Sequence, residues 1–150
     1  RGDGVYRVLS LDGGGAWALL QAMALAELYP RADGQPGGRA GREILRDFDL
    51  CAATSGGSIV LACLADDWTP GRIVEMFKSE SDRRAIFRPL RWSEREDGAV
   101  PFLLRQMLSI PRYATEPKRE HFRRVLRTGD LPLDAVAAAI TAPRADTGLG

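Results

Sequence analysis

Asp49-Leu50-Cys51-Ala52-Ala53-Thr54-Ser55-Gly56-Gly57-Ser58 is the stretch whose reading decides the fold. Residues 49–53 form a compact apolar run of the kind that makes a strand buried on both faces. Thr54-Ser55-Gly56-Gly57 interrupts it, and Ser58 to Ala65 resumes as a second apolar run that reads as helix. Strand, sharp turn and buried helix follow one another within 17 residues. A serine held in such a turn is presented away from its own backbone.

Upstream, Tyr6-Arg7-Val8-Leu9-Ser10-Leu11 has strand character and ends abruptly at Asp12-Gly13-Gly14-Gly15. A helix is predicted from about Ala16 to Tyr29, with Leu20, Met23, Ala24, Glu27 and Leu28 at the recurrences of a 3.6-residue period. Pro30 stops it. The polar, glycine-rich stretch 31–42 is expected to be a surface loop, and Ile44 to Phe48 a short helical turn.

Downstream, Thr69-Pro70 announces a helix, because threonine can cap free amides and proline suits the first helical position. Ile73, Val74, Met76 and Phe77 are its expected apolar face. Arg88 to Gly98 reads as irregular. Pro101 to Leu108 and Glu116 to Leu126 read as helices, the second capped by Thr115, and Leu133 to Ala142, centred on Val136 to Ile140, reads as a third strand. Strands alternating with helices predict an α/β fold: a three-layer α/β/α sandwich around a mostly parallel sheet. Ligands of such sheets sit beyond the carboxyl ends of the strands. Both glycine-rich turns fall there.

Acyl transfer needs an exposed nucleophile and donors aimed at the oxygen that becomes an anion. Ala53-Thr54-Ser55-Gly56-Gly57 fits the nucleophile-elbow pattern G-x-S-x-G with alanine for the first glycine; small residues are needed where strand and helix backbones approach. Ser58 competes, but Val60 two positions on would crowd its turn. Ser55 is the expected nucleophile, with the Gly56 amide and the helix N-terminus facing the substrate oxygen. The alternative is a turn that only reverses the chain. Gly13, Gly14 and Gly15 offer consecutive unshielded amides, suited to an oxyanion hole, a phosphate cradle or a tight turn. Gly13-x-Gly15-x-x-Ala18 also fits a loose dinucleotide fingerprint. Against that rival, Asp12 would place a carboxylate beside the pyrophosphate, and the following segment lacks the strand with a terminal acid.

Composition narrows the classes. The chain has 150 residues, 45% of them hydrophobic, with 21 basic against 20 acidic side chains. That is enough to bury one core, and a net charge of +1 without a single-sign block implies no nucleic-acid partner. The basic stretch 118–127 reads as the solvated face of an amphipathic helix, with a transient membrane-surface contact as the alternative. Cys51 and Cys63 sit in apolar runs as small core residues and suggest neither a disulfide framework nor a metal site. No run approaches a membrane span and no signal peptide is visible, so a cytoplasmic location is expected. Because the sequence opens without methionine and closes just after the expected third strand, it reads as the N-terminal portion of a single domain covering residues 1–150.

Leu9-Ser10-Leu11-Asp12-Gly13-Gly14-Gly15 together with Phe48-Asp49-Leu50-Cys51-Ala52-Ala53-Thr54-Ser55-Gly56-Gly57-Ser58 resembles the patatin-like phospholipases. The resemblance implies a three-layer α/β fold that hydrolyses lipid acyl esters with a Ser-Asp dyad, without histidine, metal or other cofactor. It makes Ser55 the nucleophile and Gly13, Gly14 and Gly15 the oxyanion hole. The segment through Ala142 and Asp146-Thr147-Gly148 is also similar to a family strand. Three departures stand out: Trp17 and Ala18 replace a basic residue and a glycine, Ala53 replaces the first elbow glycine, and no convincing Asp-Gly-Gly or Asp-Gly-Ala follows Ser55. Asp97-Gly98-Ala99 lies too close to Ser55 and reads as a turn, as does Asp146. The catalytic aspartate is therefore expected downstream of these residues. His121, the one histidine, reads as a solvated helix residue, and Trp17 as a core or rim residue or a platform for an acyl chain. A noncatalytic domain that binds lipid or a partner is the alternative function.

Overall fold

The structure is a computed structural model that describes residues 4–87, 115–129 and 131–141. The expected helix at 101–108, the irregular stretch, Asp97 and Asp146 lie outside them. The mixed α/β character is present. Strands β1 (Val8–Leu11) and β2 (Leu50–Ala53) pair in parallel, in register from Val8↔Leu50 to Leu11↔Ala53. A parallel pair needs a long crossover, here formed by a 3-10 turn (Gly15–Trp17), α1 (Ala18–Leu28), a loop and α2 (Gly41–Leu45). After β2 come α3 (Gly56–Ala65), α4 (Pro70–Lys78), α5 (Glu80–Ile86), α6 (Thr115–Val125) and α7 (Leu133–Thr141).

One face of the strand pair meets the helices. Leu9 and Leu11 are buried and their partners Cys51 and Ala53 half-buried, whereas Val8, Ser10, Leu50 and Ala52 are exposed. The expectation of a strand buried on both faces therefore fails for β2 among the described residues, and one helical layer is seen. The apolar cluster joins Leu9, Leu11, Ile44, Val60, Leu64, Ile73 and Phe77.

α4 forms as its sequence dictates: the Thr69 hydroxyl accepts from the Arg72 amide at 3.3 Å, Pro70 opens the helix, and Ile73, Val74, Met76 and Phe77 are buried. α5 was not anticipated. Its signal is local, with Ser79 accepting from the Asp82 amide, acids in the first turn and Arg83 and Arg84 in the last. α1 forms where expected but buries Ala18, Ala22 and Leu25. The residues picked out by the 3.6 period, Leu20, Met23, Ala24, Glu27 and Leu28, are exposed. Apart from Gln21 and Glu27 the helix is apolar, so periodicity does not choose the face; small side chains at 18 and 22 let it pack closely.

The expected third strand is a helix. Val136 and Ile140, four apart, share one side of either element, and both pack against the core. Ala135, Ala137, Ala138 and Ala139 favour helix, and the Val136 amide donates to Pro132 O at 3.1 Å as the helix starts.

Asp66, 2% exposed, ties the end of α3 to the α6–α7 connection. Its carboxylate accepts from the Trp68 indole at 2.9 Å and from the Thr128 amide at 2.8 Å. Asp66→Ala strands both donors and should cost about 2 to 4 kcal/mol, measured by urea denaturation.

Both cysteines are free, as expected. Burial, reinforced by Asp66, pushes the Cys63 thiol from 9.0 up to about 12, and burial also raises Cys51. In the unfolded chain Cys63 loses its proton near its ordinary value, while the folded chain keeps it. Stability is therefore full below pH 9 and falls as pH rises toward 12, by up to about 1.4 kcal/mol per unit. Comparison of the alkaline melting curves with those of Cys63→Ala checks this: the variant should lack the extra loss.

Candidate active site

The register places the ends of both strands at one edge. β1 runs out at Leu11, whose carbonyl accepts from the Thr54 amide at 3.0 Å, so the loop 12–15 and the turn 54–57 lie side by side. Backbone and side-chain atoms of the turn press directly on the loop. A Cβ built on Gly13 would stand 3.1 Å from Thr54 Oγ1 and 3.2 Å from Ser55 Cβ. One on Gly56 would stand 2.4 Å from Gly15 O, and one on Gly57 2.3 Å from Leu11 O. The sequence rule that small residues are needed two positions past the serine has its physical cause in that last contact.

Ser55 sits at the head of α3 with φ 48 and ψ −117. Among the described residues only Ser55 and Asp67 are non-glycine residues with positive φ. That region is costly for a side chain and persists where surrounding structure enforces it. A serine preceding a helix ordinarily caps it; the Ser55 side chain makes no capping hydrogen bond. The Gly57 and Ser58 amides are occupied by Thr54 O and Ser55 O at 2.9 and 3.1 Å. The amides of Gly13, Gly14, Gly15 and Gly56 donate to no acceptor among the described residues. Gly14 and Gly15, at φ 132 and 60, hold conformations that favour glycine.

Ser55, Gly15 and Gly56 line a cleft of about 1280 Å³ whose walls are largely apolar, among them Ala53, Leu61, Phe87, Phe122 and Ile140. It is larger than the roughly 300–1,000 Å³ of most small-molecule pockets. Among the described residues Arg46, Asp49 and Lys118 are its charged lining residues, and Arg46 Nε donates to Ile140 O at 2.7 Å. Ser58 lines the same cleft from a regular helical turn. The structure thus brings together Ser55, Gly13, Gly14, Gly15 and Gly56. Sequence reasoning missed the far walls on α6 and α7, which no local pattern marks, and Gln21, an isolated amide in an apolar helix.

One other expectation changes and one is narrowed. His121 is not a solvated helix residue: its side chain is 15% exposed and its Nε2 lies 3.6 Å from Asp82 Oδ1, joining α6 to α5 away from the cleft lining. Trp17, expected as a core or rim residue or an acyl-chain platform, is 74% exposed just after the glycine loop, which excludes the core. Among the described residues no cluster of three or more His, Cys, Asp or Glu could hold a metal ion, and no helix is long and apolar enough to cross a membrane.

No curated protein and no solved structure matches the chain. The family model of the patatin-like phospholipases matches residues 9–146, from within β1 to beyond α7, and so the chain belongs to the patatin-like phospholipase family.

Proposed function

We propose that this chain carries the nucleophile and oxyanion hole of a serine acyl hydrolase acting on lipid esters. The family is one of lipid acyl hydrolases. The observation that carries the assignment to residues is the backbone of Ser55, strained at φ 48 on a strand-to-helix turn and pressed against the glycine loop. Strain of this kind collects where function needs it.

In this reading Ser55 Oγ attacks the ester carbonyl and passes its proton to an aspartate carboxylate downstream of these residues. The oxygen that gains charge is met by amides of Gly13, Gly14, Gly15 and Gly56, aided by the N-terminal end of α3. Collapse expels the alcohol, which takes the proton back, and water then releases the acid from Ser55 by the same steps in reverse. The apolar cleft holds the acyl chain, and the lipid is drawn from a membrane surface. No cofactor takes part.

Fatty-acid release from phosphatidylcholine vesicles and from soluble acyl esters, measured on the full-length protein and on Ser55→Ala, tests this. The variant should lose about 10⁴-fold or more. An unchanged rate would remove Ser55 from the reaction.

A further inference from the structure

The first carbonyl beyond β1 is held by a side chain. Asp12 C=O accepts a 2.7 Å hydrogen bond from Nε2 of Gln21, on the first turn of α1. Facing a carbonyl, the amide can present only its NH₂ end, and Oε1 is left buried with no partner among the described residues. A methionine or leucine would fill this place in an apolar helix without stranding an acceptor. What the amide adds is the donor at Asp12. The same carbonyl lies close to Gly57, whose added Cβ would stand 2.7 Å from it.

In a trans peptide the C=O and the next N–H point opposite ways across a rigid plane. Fixing the Asp12 carbonyl therefore fixes the direction of the Gly13 N–H. Little else in the loop resists a reversal of that plane, because Gly13, Gly14 and Gly15 carry no side chains and glycine moves easily between the conformations involved. Gly13 also abuts Ser55.

We propose that Gln21 is a positioning residue: it locks the Asp12–Gly13 peptide against reversal and so keeps the Gly13 amide turned toward the oxyanion. The catalytic consequence rests on the Ser55 reading above; the lock itself does not. An oxyanion donor must be in place before charge develops, since reorganisation during the reaction forfeits its benefit. A loop of glycines cannot supply that order by itself, and Gln21 supplies it from a helix.

Gln21→Met keeps length and apolar character but removes the donor. Gln21→Glu keeps the shape and sets a second acceptor against the carbonyl. In ¹⁵N relaxation dispersion on the full-length protein, Gly13 should be quiet in the wild type and show microsecond-to-millisecond exchange in both variants. On a soluble acyl ester kcat should fall about tenfold or more, with KM unchanged within about twofold, the pattern of an interaction made in the transition state. Melting temperature should be unchanged within about 2 °C, a shift of no more than about 1 kcal/mol.

Flat dispersion at Gly13 in both variants overturns the lock, whatever the rates do. Exchange at Gly13 with unchanged kcat overturns its role in positioning, as does a loss of kcat and KM in step with a fall in melting temperature. If the wild type neither turns over the ester nor reacts at Ser55, the hydrolase reading and with it the catalytic half of the proposal fall, while Gly13 dispersion still decides the lock.

Discussion

Ser55→Gly should be more stable than Ser55→Ala by about 1 kcal/mol, a rise of about 2 to 4 °C in melting temperature for a chain of this size, although both variants lose acyl-ester turnover. At most positions the order is reversed, because glycine gives the unfolded chain more freedom to lose. At φ 48 and ψ −117 alanine keeps the clash between Cβ and backbone that serine has, and glycine removes it. The inversion separates the two demands on the position. In the proposed reaction the hydroxyl serves the chemistry, whereas the side chain as such opposes the fold. An alanine variant more stable than the glycine variant would mean that the turn relaxes in solution and that the serine is not held as described. Differential scanning calorimetry of the two proteins decides it.

Gly57→Ala should do more damage than any change to the serine, with an expected loss of about 3 kcal/mol or more. Its new methyl would stand 2.3 Å from Leu11 O, 2.6 Å from Leu11 C and 2.7 Å from Asp12 O. All three are backbone atoms at the end of β1, so no side chain can swing aside. Relief requires α3 to back away from the strand, which parts the turn at Ser55 from the loop at Gly13. Acyl-ester turnover should fall together with stability. Gly34→Ala is the contrast, since its Cβ would meet nothing within 4 Å; the penalty there comes from its φ of 71 alone. Urea denaturation of both variants, with the rate on a soluble ester, checks the pair. A Gly57→Ala protein as stable as the wild type would contradict the close approach on which the site is built.

The reach of the sequence follows from the range of the interactions involved. α4 was legible because its determinants are local: a capping threonine, a proline at the first position and a one-sided apolar pattern. The two glycine motifs were legible for the same reason, since each lies within a few residues and the chemistry that needs them is specific. What they do to each other was only half visible. That Gly57 faces the Leu11 carbonyl follows from the pairing of β1 with β2, residues more than 40 apart.

Failures came where two periods agree or none exists. Val136 and Ile140 are four apart and satisfy both a strand and a helix; the alanines between them settle the segment as α7. α1 is apolar apart from Gln21 and Glu27, and the choice of Ala18, Ala22 and Leu25 as its buried stripe is made by close packing rather than by pattern. A Cβ on Gly56 would stand 3.0 Å from Ala18 Cβ, so a larger residue at either place would hold α1 away from α3. Gln21, a lone amide in a largely apolar helix, has no signature until its partner is known.

Ser55 is the proposed nucleophile. A fluorophosphonate reacts with an activated serine and leaves a mass increment that peptide sequencing assigns to one residue. The full-length protein should carry a single adduct on Ser55, and Ser55→Ala should carry none. An adduct on Ser58, which lines the same cleft three residues further on, or labelling that survives Ser55→Ala unchanged, would contradict it.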